Sequence, residues 1–205
     1  MTSDNNYKNP CSGCDIYGDQ RLKLALTLKE KVFSKFNIDY CIENGTLLGA
    51  YRNHKFIPHD DDFDFAVFIK DKSNVNSICD YIKQYLPKQY SCRLVESYCL
   101  KIEVYDPNAG LYILSGPKYN GADYHHVTVD LQFHLQCEKG FKQLYYIGSE
   151  LINKEEDIFP LTLIELEHNI FPAPRNTVDF LKACYGSIRT GAKYNPETCK
   201  YEDSI

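Results

Sequence analysis

The 205-residue chain has no tryptophan, no apolar run near the roughly 18 residues a membrane-spanning helix needs, and no basic excess. Without Trp, the aromatic surface falls to 17 tyrosines and 11 phenylalanines, which suit core and rim packing. The lack of a long apolar run excludes a transmembrane helix. A formal net charge of −5 argues against a general nucleic-acid binder, whose phosphate contacts need a basic face. The opening residues, Met-Thr-Ser-Asp-Asn-Asn-Tyr-Lys, hold no apolar signal-peptide core, so the expectation is a cytoplasmic protein.

Regular cysteine spacing is also missing. The nine cysteines form an odd set and read as reduced thiols, mostly small buried hydrophobes. Only Cys11-x-x-Cys14 has ligand spacing. It is either half of a zinc site completed by Cys184, Cys199 or a histidine, or a disulfide partner, or two free thiols in a loose N-terminus. No internal repeat or low-complexity tract occurs, and the length suits one domain. That domain is placed at residues 19–187, after an irregular lead-in (1–18) and before a polar C-terminal tail (188–205) expected to carry little order.

What is present begins with an amphipathic helical pattern through Leu22, Ala25, Leu26, Val32, Phe33 and Phe36. Ile38, Tyr40 and Ile42 alternate with polar residues as a first strand. Val75, Ile78, Cys79, Ile82 and Tyr85 predict a second helix that stops at Pro87. Residues 92–104 predict a strand or hairpin, 111–114 a short strand, and 115–124 a loop that either covers a site or merely connects. Val127, Val129, Leu131 and Phe133 alternate with Thr128, Asp130, Gln132 and His134, putting Asp130 on the polar face of a strand. His125 and His126 precede it, but adjacent strand residues face opposite ways and do not readily share one ion. Further strands are predicted at 144–147 and 161–166. A last helix opens at Thr177 as N-cap and stops at Gly186.

The chemistry concentrates in residues 43–68. Gly45-Thr46 leads a short helix, with Thr46 as its N-cap and Gly45 allowing close backbone approach. The helix start offers free N–H groups for an anion, and Arg52 offers a bidentate phosphate contact. Asp60, Asp61, Asp62 and Asp64 then run into the apolar strand of Phe63, Phe65, Ala66, Val67, Phe68 and Ile69. Alternation points Asp62 and Asp64 the same way, about 6–7 Å apart, spaced to hold a hard cation. A solvated acidic turn is the plainer alternative. Against it, several acids at the head of an apolar strand repel one another and call for a compensating cation. Asn44-Gly45-Thr46 also spells a glycosylation sequon, incidental in a cytoplasmic protein.

Gly-Thr-Leu-Leu-Gly-Ala-Tyr-Arg followed by Ile-Pro-His-Asp-Asp-Asp-Phe-Asp resembles the signature of the LicD/fukutin family. The likeness is close over residues 43–68 and continues in weaker pieces to about residue 187. His59 departs from it, standing where bacterial members carry Trp. The resemblance implies an α+β class (mixed α/β) with a nucleotidyltransferase-like mixed sheet flanked by helices. It also implies a metal-dependent transfer of a phosphorylated alcohol, phosphocholine- or ribitol-phosphate-like, from a CDP-linked or other nucleotide-linked donor to a glycan acceptor. Asp62 and Asp64 would then hold Mg²⁺ or Mn²⁺, with Asp130 as third ligand or base, and Gly45, Thr46, Arg52 and His59 would bind substrate. Two other readings stay open: a glycosyltransferase that holds a sugar nucleotide at Asp62-Phe63-Asp64, and an inactive glycan- or nucleotide-binding module.

Overall fold

The computed structural model describes residues 14–58, 60–96, 99–113, 123–144, 151–195 and 200–203. Cys11, the Cys14 side chain, His59, most of the 115–124 loop and Cys199 lie outside the described residues.

Helix α1 (Cys14–Leu28) runs into a π-helical turn (Lys29–Phe33), earlier at its start than the apolar pattern predicts. Its inward face carries Leu24, Ala25, Leu28, Val32 and Phe33. The order continues β1 (Asp39–Ile42), α2 (Asn44–Asn53), β2 (Phe63–Ile69), α3 (Asn74–Tyr85), β3 (Ser91–Val95), β4 (Lys101–Tyr105), β5 (Leu111–Ile113) and β6 (Asp123–His125). It ends β7 (Thr128–Cys137), β8 (Gly140–Gln143), β9 (Ile152–Asn153), α4 (Glu155–Ile158), β10 (Thr162–Leu166), β11 (Asn169–Ala173), α5 (Thr177–Tyr185), β12 (Lys193–Asn195) and β13 (Lys200–Glu202). The class is α+β, as expected.

The main sheet has the order β1-β2-β7-β4-β3, with β8 on β7 and β9 on β8. Among the described residues of this sheet only β2 and β7 run parallel, which requires a long crossover between them. All seven residues of β2 are buried, so the strand is covered on both faces. On one face, Phe63 and Phe65 pack with Phe33, Tyr40 and Phe171, the rings of Phe33 and Phe65 meeting edge-on at 5.2 Å. On the other, Phe68 meets His134, Phe141 and Phe159, and Phe180 of α5 lies beyond His134. The aromatic residues thus close the far end of this second face and leave its polar end to the acids.

Two helix starts differ from expectation. Asn176, not Thr177, is the N-cap of α5, its side chain accepting from the Asp179 N–H, while the Thr177 hydroxyl donates to the Pro174 carbonyl. Glu43, not Thr46, is the N-cap of α2, because Thr46 already lies inside the helix. Helix α2 ends at His54, whose left-handed backbone (φ 57°) lets its N–H reach the Ala50 carbonyl. The described residues after 187 include β12 and β13, which pair antiparallel, and Tyr201 forms a parallel bridge with Gly186.

Candidate metal and phosphate site

The parallel register of β2 on β7 sets Asp64 directly beside Asp130, and the antiparallel register of β4 on β7 sets Glu103 on the other side of Asp130. Arg93 of β3 faces Glu103 in turn. One row across the sheet therefore reads Asp64, Asp130, Glu103, Arg93, and the next carries Gln132 beside Lys101. Neighbouring strands lie about 4.8 Å apart, so these polar groups stand within reach of one another.

Asp62, at the mouth of β2, completes the set. Asp62, Asp64 and Asp130 each offer a carboxylate oxygen, all within 4.8 Å of one another. Asp64 and Asp130 are buried, and Asp62 is partly buried at the rim. A second group, Asp60, Asp61 and Asp62, meets the same distance and shares Asp62.

Cations offset part of this charge. The Lys101 ammonium lies 2.5 Å from Asp130 and 2.9 Å from Glu103, and Arg93 lies 2.5 Å from Glu103. Gln132 donates to Asp64 at 2.9 Å and accepts from Gln143 at 3.1 Å. Burial is the first cause pushing the Asp64 carboxyl well up, with Asp130, Asp60 and Glu43 adding to it and Lys101 opposing. Burial, then Asp64 and Asp130, does the same to Asp62. Asp130 is pushed up to about 6, by burial first, against the pull of Lys101. Among the described residues the buried Asp130 Oδ1 has no hydrogen-bond partner. Three converging carboxylates, one of which carries an orphaned oxygen, under mutual repulsion only partly relieved by Lys101, fit a hard divalent cation.

The Gly-Thr step is built differently from the expected cap. The Thr46 hydroxyl accepts from the Asp64 N–H at 2.9 Å, pinning α2 to the acid strand. A Cβ on Gly45 would stand 2.4 Å from Asp60 Oδ2, so the bare glycine admits the Asp60 carboxylate beside the helix start. Exchanging Thr46 for Val keeps the shape but leaves the buried Asp64 N–H unpaired. Thermal or urea unfolding is expected to show a loss of about 1–3 kcal/mol, with Thr46→Ser close to wild type. Equal stability of Thr46→Val and wild type would refute the tether.

Arg52 donates Nε to the Ile188 carbonyl and a terminal nitrogen to that of Arg189, both at 2.9 Å. It fastens the C-terminal segment to α2. His125 packs against Tyr105 and His126 stacks on Tyr17, each on a different partner.

Several site residues were missed in the sequence. Arg21 is buried on α1 and donates to the His126 and Asp60 carbonyls, holding the acidic turn. Its signal was legible: positions 21, 24, 28 and 32 share one helix face, and a charge on an apolar face asks for a partner. Lys101 and Glu103 alternate with Ile102 and Val104, the same pattern that singled out Asp130. Glu43 and His134 form a buried pair at 2.8 Å whose partners are 91 residues apart, a contact no local spacing announces.

Among the described residues no helix is long and apolar enough to cross a membrane. Cys41, Cys79 and Cys99 are buried free thiols, and Cys92, Cys137 and Cys184 are free and partly exposed.

Two curated proteins resemble parts of the chain. An uncharacterized protein of Rickettsia prowazekii, RP689, is 38% identical over 71 residues, covering 34% of this chain and 27% of that protein. An uncharacterized protein of Rickettsia typhi, RT0683, is 43% identical over 54 residues, covering 26% of this chain and 18% of that protein. The matches therefore span about a quarter of these relatives' length or less. A family model described as LicD/FKTN/FKRP, nucleotidyltransferase domain, matches residues 37–176, a stretch that holds β1, the Gly-Thr step and all of the converging acids. The chain belongs to the LicD/FKTN/FKRP nucleotidyltransferase-domain family.

Proposed function

We propose that this protein is a transferase that moves a phosphorylated alcohol, phosphocholine- or ribitol-phosphate-like, from a CDP-linked or similar nucleotide donor to a glycan acceptor. Family membership supports the transferase class. The observation that carries the reading is the meeting around one point of Asp62, just before β2, Asp64 on β2 and Asp130 on β7, 68 positions after Asp62.

Asp62, Asp64 and Asp130 would hold Mg²⁺ or Mn²⁺, which when bound would supply positive charge to offset the negative charge of the transferring phosphate. The chain's own groups do the rest. The first turn of α2, at Gly45 and Thr46, carries N–H groups that a helix leaves unpaired and that suit a phosphate. Lys101 holds the Asp130 carboxylate in place. Asp130, with its carboxyl pushed up to about 6, serves either as third ligand or as base towards the attacking hydroxyl. Asp60 and Asp61 frame the turn, anchored through the Asp60 carbonyl by Arg21.

The test is incubation of the protein with CDP-, UDP- and GDP-linked donors and Mg²⁺ or Mn²⁺, following nucleotide release. A nucleoside monophosphate as product, dependent on added metal, is the expected result. A nucleoside diphosphate, with a hexose and no phosphorus on the acceptor, would favour the glycosyltransferase reading instead. No release from any donor would leave the binding-module reading.

A further inference from the structure

Beside the acid set lies a cavity of about 490 Å³. One wall is α2 with the loop after it, including Gly45, Arg52, Lys55 and Phe56, and Asp60 joins it to the acids. The facing wall comes from Tyr185, residues 190–192 and Tyr201. That wall begins nine residues after the family-matched stretch ends at 176.

We propose that this cavity seats the nucleoside-phosphate half of the donor, and that Tyr185, residues 190–192 and Tyr201 decide which nucleotide is accepted. The proposal rests on the transfer reading above and adds where the donor lies.

Three observations carry it. The first is size and place. A volume of about 490 Å³ suits a nucleoside-sized ligand, and Gly45, at the helix start where the phosphate would sit, lines the cavity. The second is chemistry. Tyr185 and Tyr201 form an aromatic corner, ring centroids 6.3 Å apart at 55°, and Phe56 lines the same space. Flat rings beside an exposed Lys55 ammonium suit a planar base joined to an anion. Burial, then Cys184 and the Asp64, Asp60 and Asp62 carboxylates, pushes the Tyr185 phenol well up, so it stays a neutral hydrogen-bonding group next to the acids.

The third is that the wall is fastened rather than loose. Arg52 holds the carbonyls of Ile188 and Arg189, and the Ser187 N–H donates to the Tyr201 carbonyl at 2.7 Å. Lys200 Nζ donates to the Ala183 carbonyl at 2.8 Å. Arg52 is therefore a positioning residue, setting the aromatic corner over the cavity from α2.

The experiment measures equilibrium binding of CDP, UDP and GDP in the presence of Mn²⁺, alongside Mn²⁺ binding alone. It compares wild type with Tyr201→Leu, Arg52→Gln and Lys55→Ala, each checked for wild-type melting. Tyr201→Leu and Arg52→Gln are expected to weaken the preferred nucleotide about tenfold and to narrow its advantage over the other two. Mn²⁺ affinity alone should stay within about twofold, which a merely misfolded site would not allow. Lys55→Ala, at an exposed position, is the variant to rely on should the others melt early, and should raise donor KM several-fold at unchanged kcat. Unchanged nucleotide binding in the folded variants, with metal-dependent turnover intact in wild type, overturns this proposal and leaves the transfer reading standing. Failure of wild type to bind any of the three diphosphates overturns both.

Discussion

Asp64→Asn is expected to lower turnover by about 10³-fold or more, with the fold intact. The side chain keeps its size, and its remaining oxygen still accepts from Gln132, so the row of polar contacts along β7 survives. What disappears is one full negative charge at the point where Asp62, Asp64 and Asp130 converge. Stabilisation of transferring phosphate charge by a bound cation amounts to several kcal/mol, and each 1.36 kcal/mol is about a factor of ten in rate. Asp62→Asn should behave alike, though its place at the rim of the site makes partial rescue by high metal concentration an expected difference. Steady-state rates across a metal titration would show both effects. A full-rate Asp64→Asn enzyme would sink the assignment of these acids.

The metal-free protein should lose stability as pH rises from about 4 to above 6, and added Mg²⁺ or Mn²⁺ should restore it near neutrality. The sign follows from the direction of the shifts. Asp62, Asp64 and Asp130 all have folded carboxyls raised above the usual 3.8, with burial as the first cause. Between the unfolded and folded values the native state binds more protons than the unfolded chain. Stability from these groups is therefore complete below the unfolded value and falls as pH passes through the folded ones. For Asp130, the rise from 3.8 to about 6 corresponds to on the order of 3 kcal/mol. In a chain of this size that is about 6–12 °C in melting temperature. Melting in EDTA at pH 5 and pH 7.5, then with metal at pH 7.5, checks the claim. Bound metal at a hundred times its dissociation constant should return about 2.7 kcal/mol. The Asp64→Asn protein should show a shallower pH slope and a smaller metal response. An EDTA sample equally stable at both pH values would contradict the picture of strained carboxylates.

The two results bear on each other. The acids that should be needed for turnover are the ones that should destabilise the empty fold, so Asp64→Asn is expected to be slower yet more heat-resistant without metal. A substitution that merely damaged packing would lower both activity and melting temperature.

What the sequence by itself determined was local. Alternation along Phe63–Ile69 and Val127–Phe133 set which side chains share a face, because strand geometry repeats every two residues. Helical spacing placed α3 and α5 within a residue or two, and the Gly-Thr and acid runs marked the region of chemistry. Alternation marked a polar face on β7 but not its burial, yet Thr128, Asp130, Gln132 and His134 are all buried, with Phe68 and Phe180 of α5 covering the His134 end. Only the tertiary structure decided the register of β2 on β7, which brings Asp64 beside Asp130, and of β4 on β7, which supplies Lys101 and Glu103. It also turned Arg52 toward the carbonyls of Ile188 and Arg189 and made a cavity wall of a stretch that looked like a tail. The physical reason is one of range. Periodicity and capping act over a few residues and leave a trace in neighbouring letters, whereas strand register and long-range ion pairs are settled by the burial of the whole sheet, to which every element contributes at once.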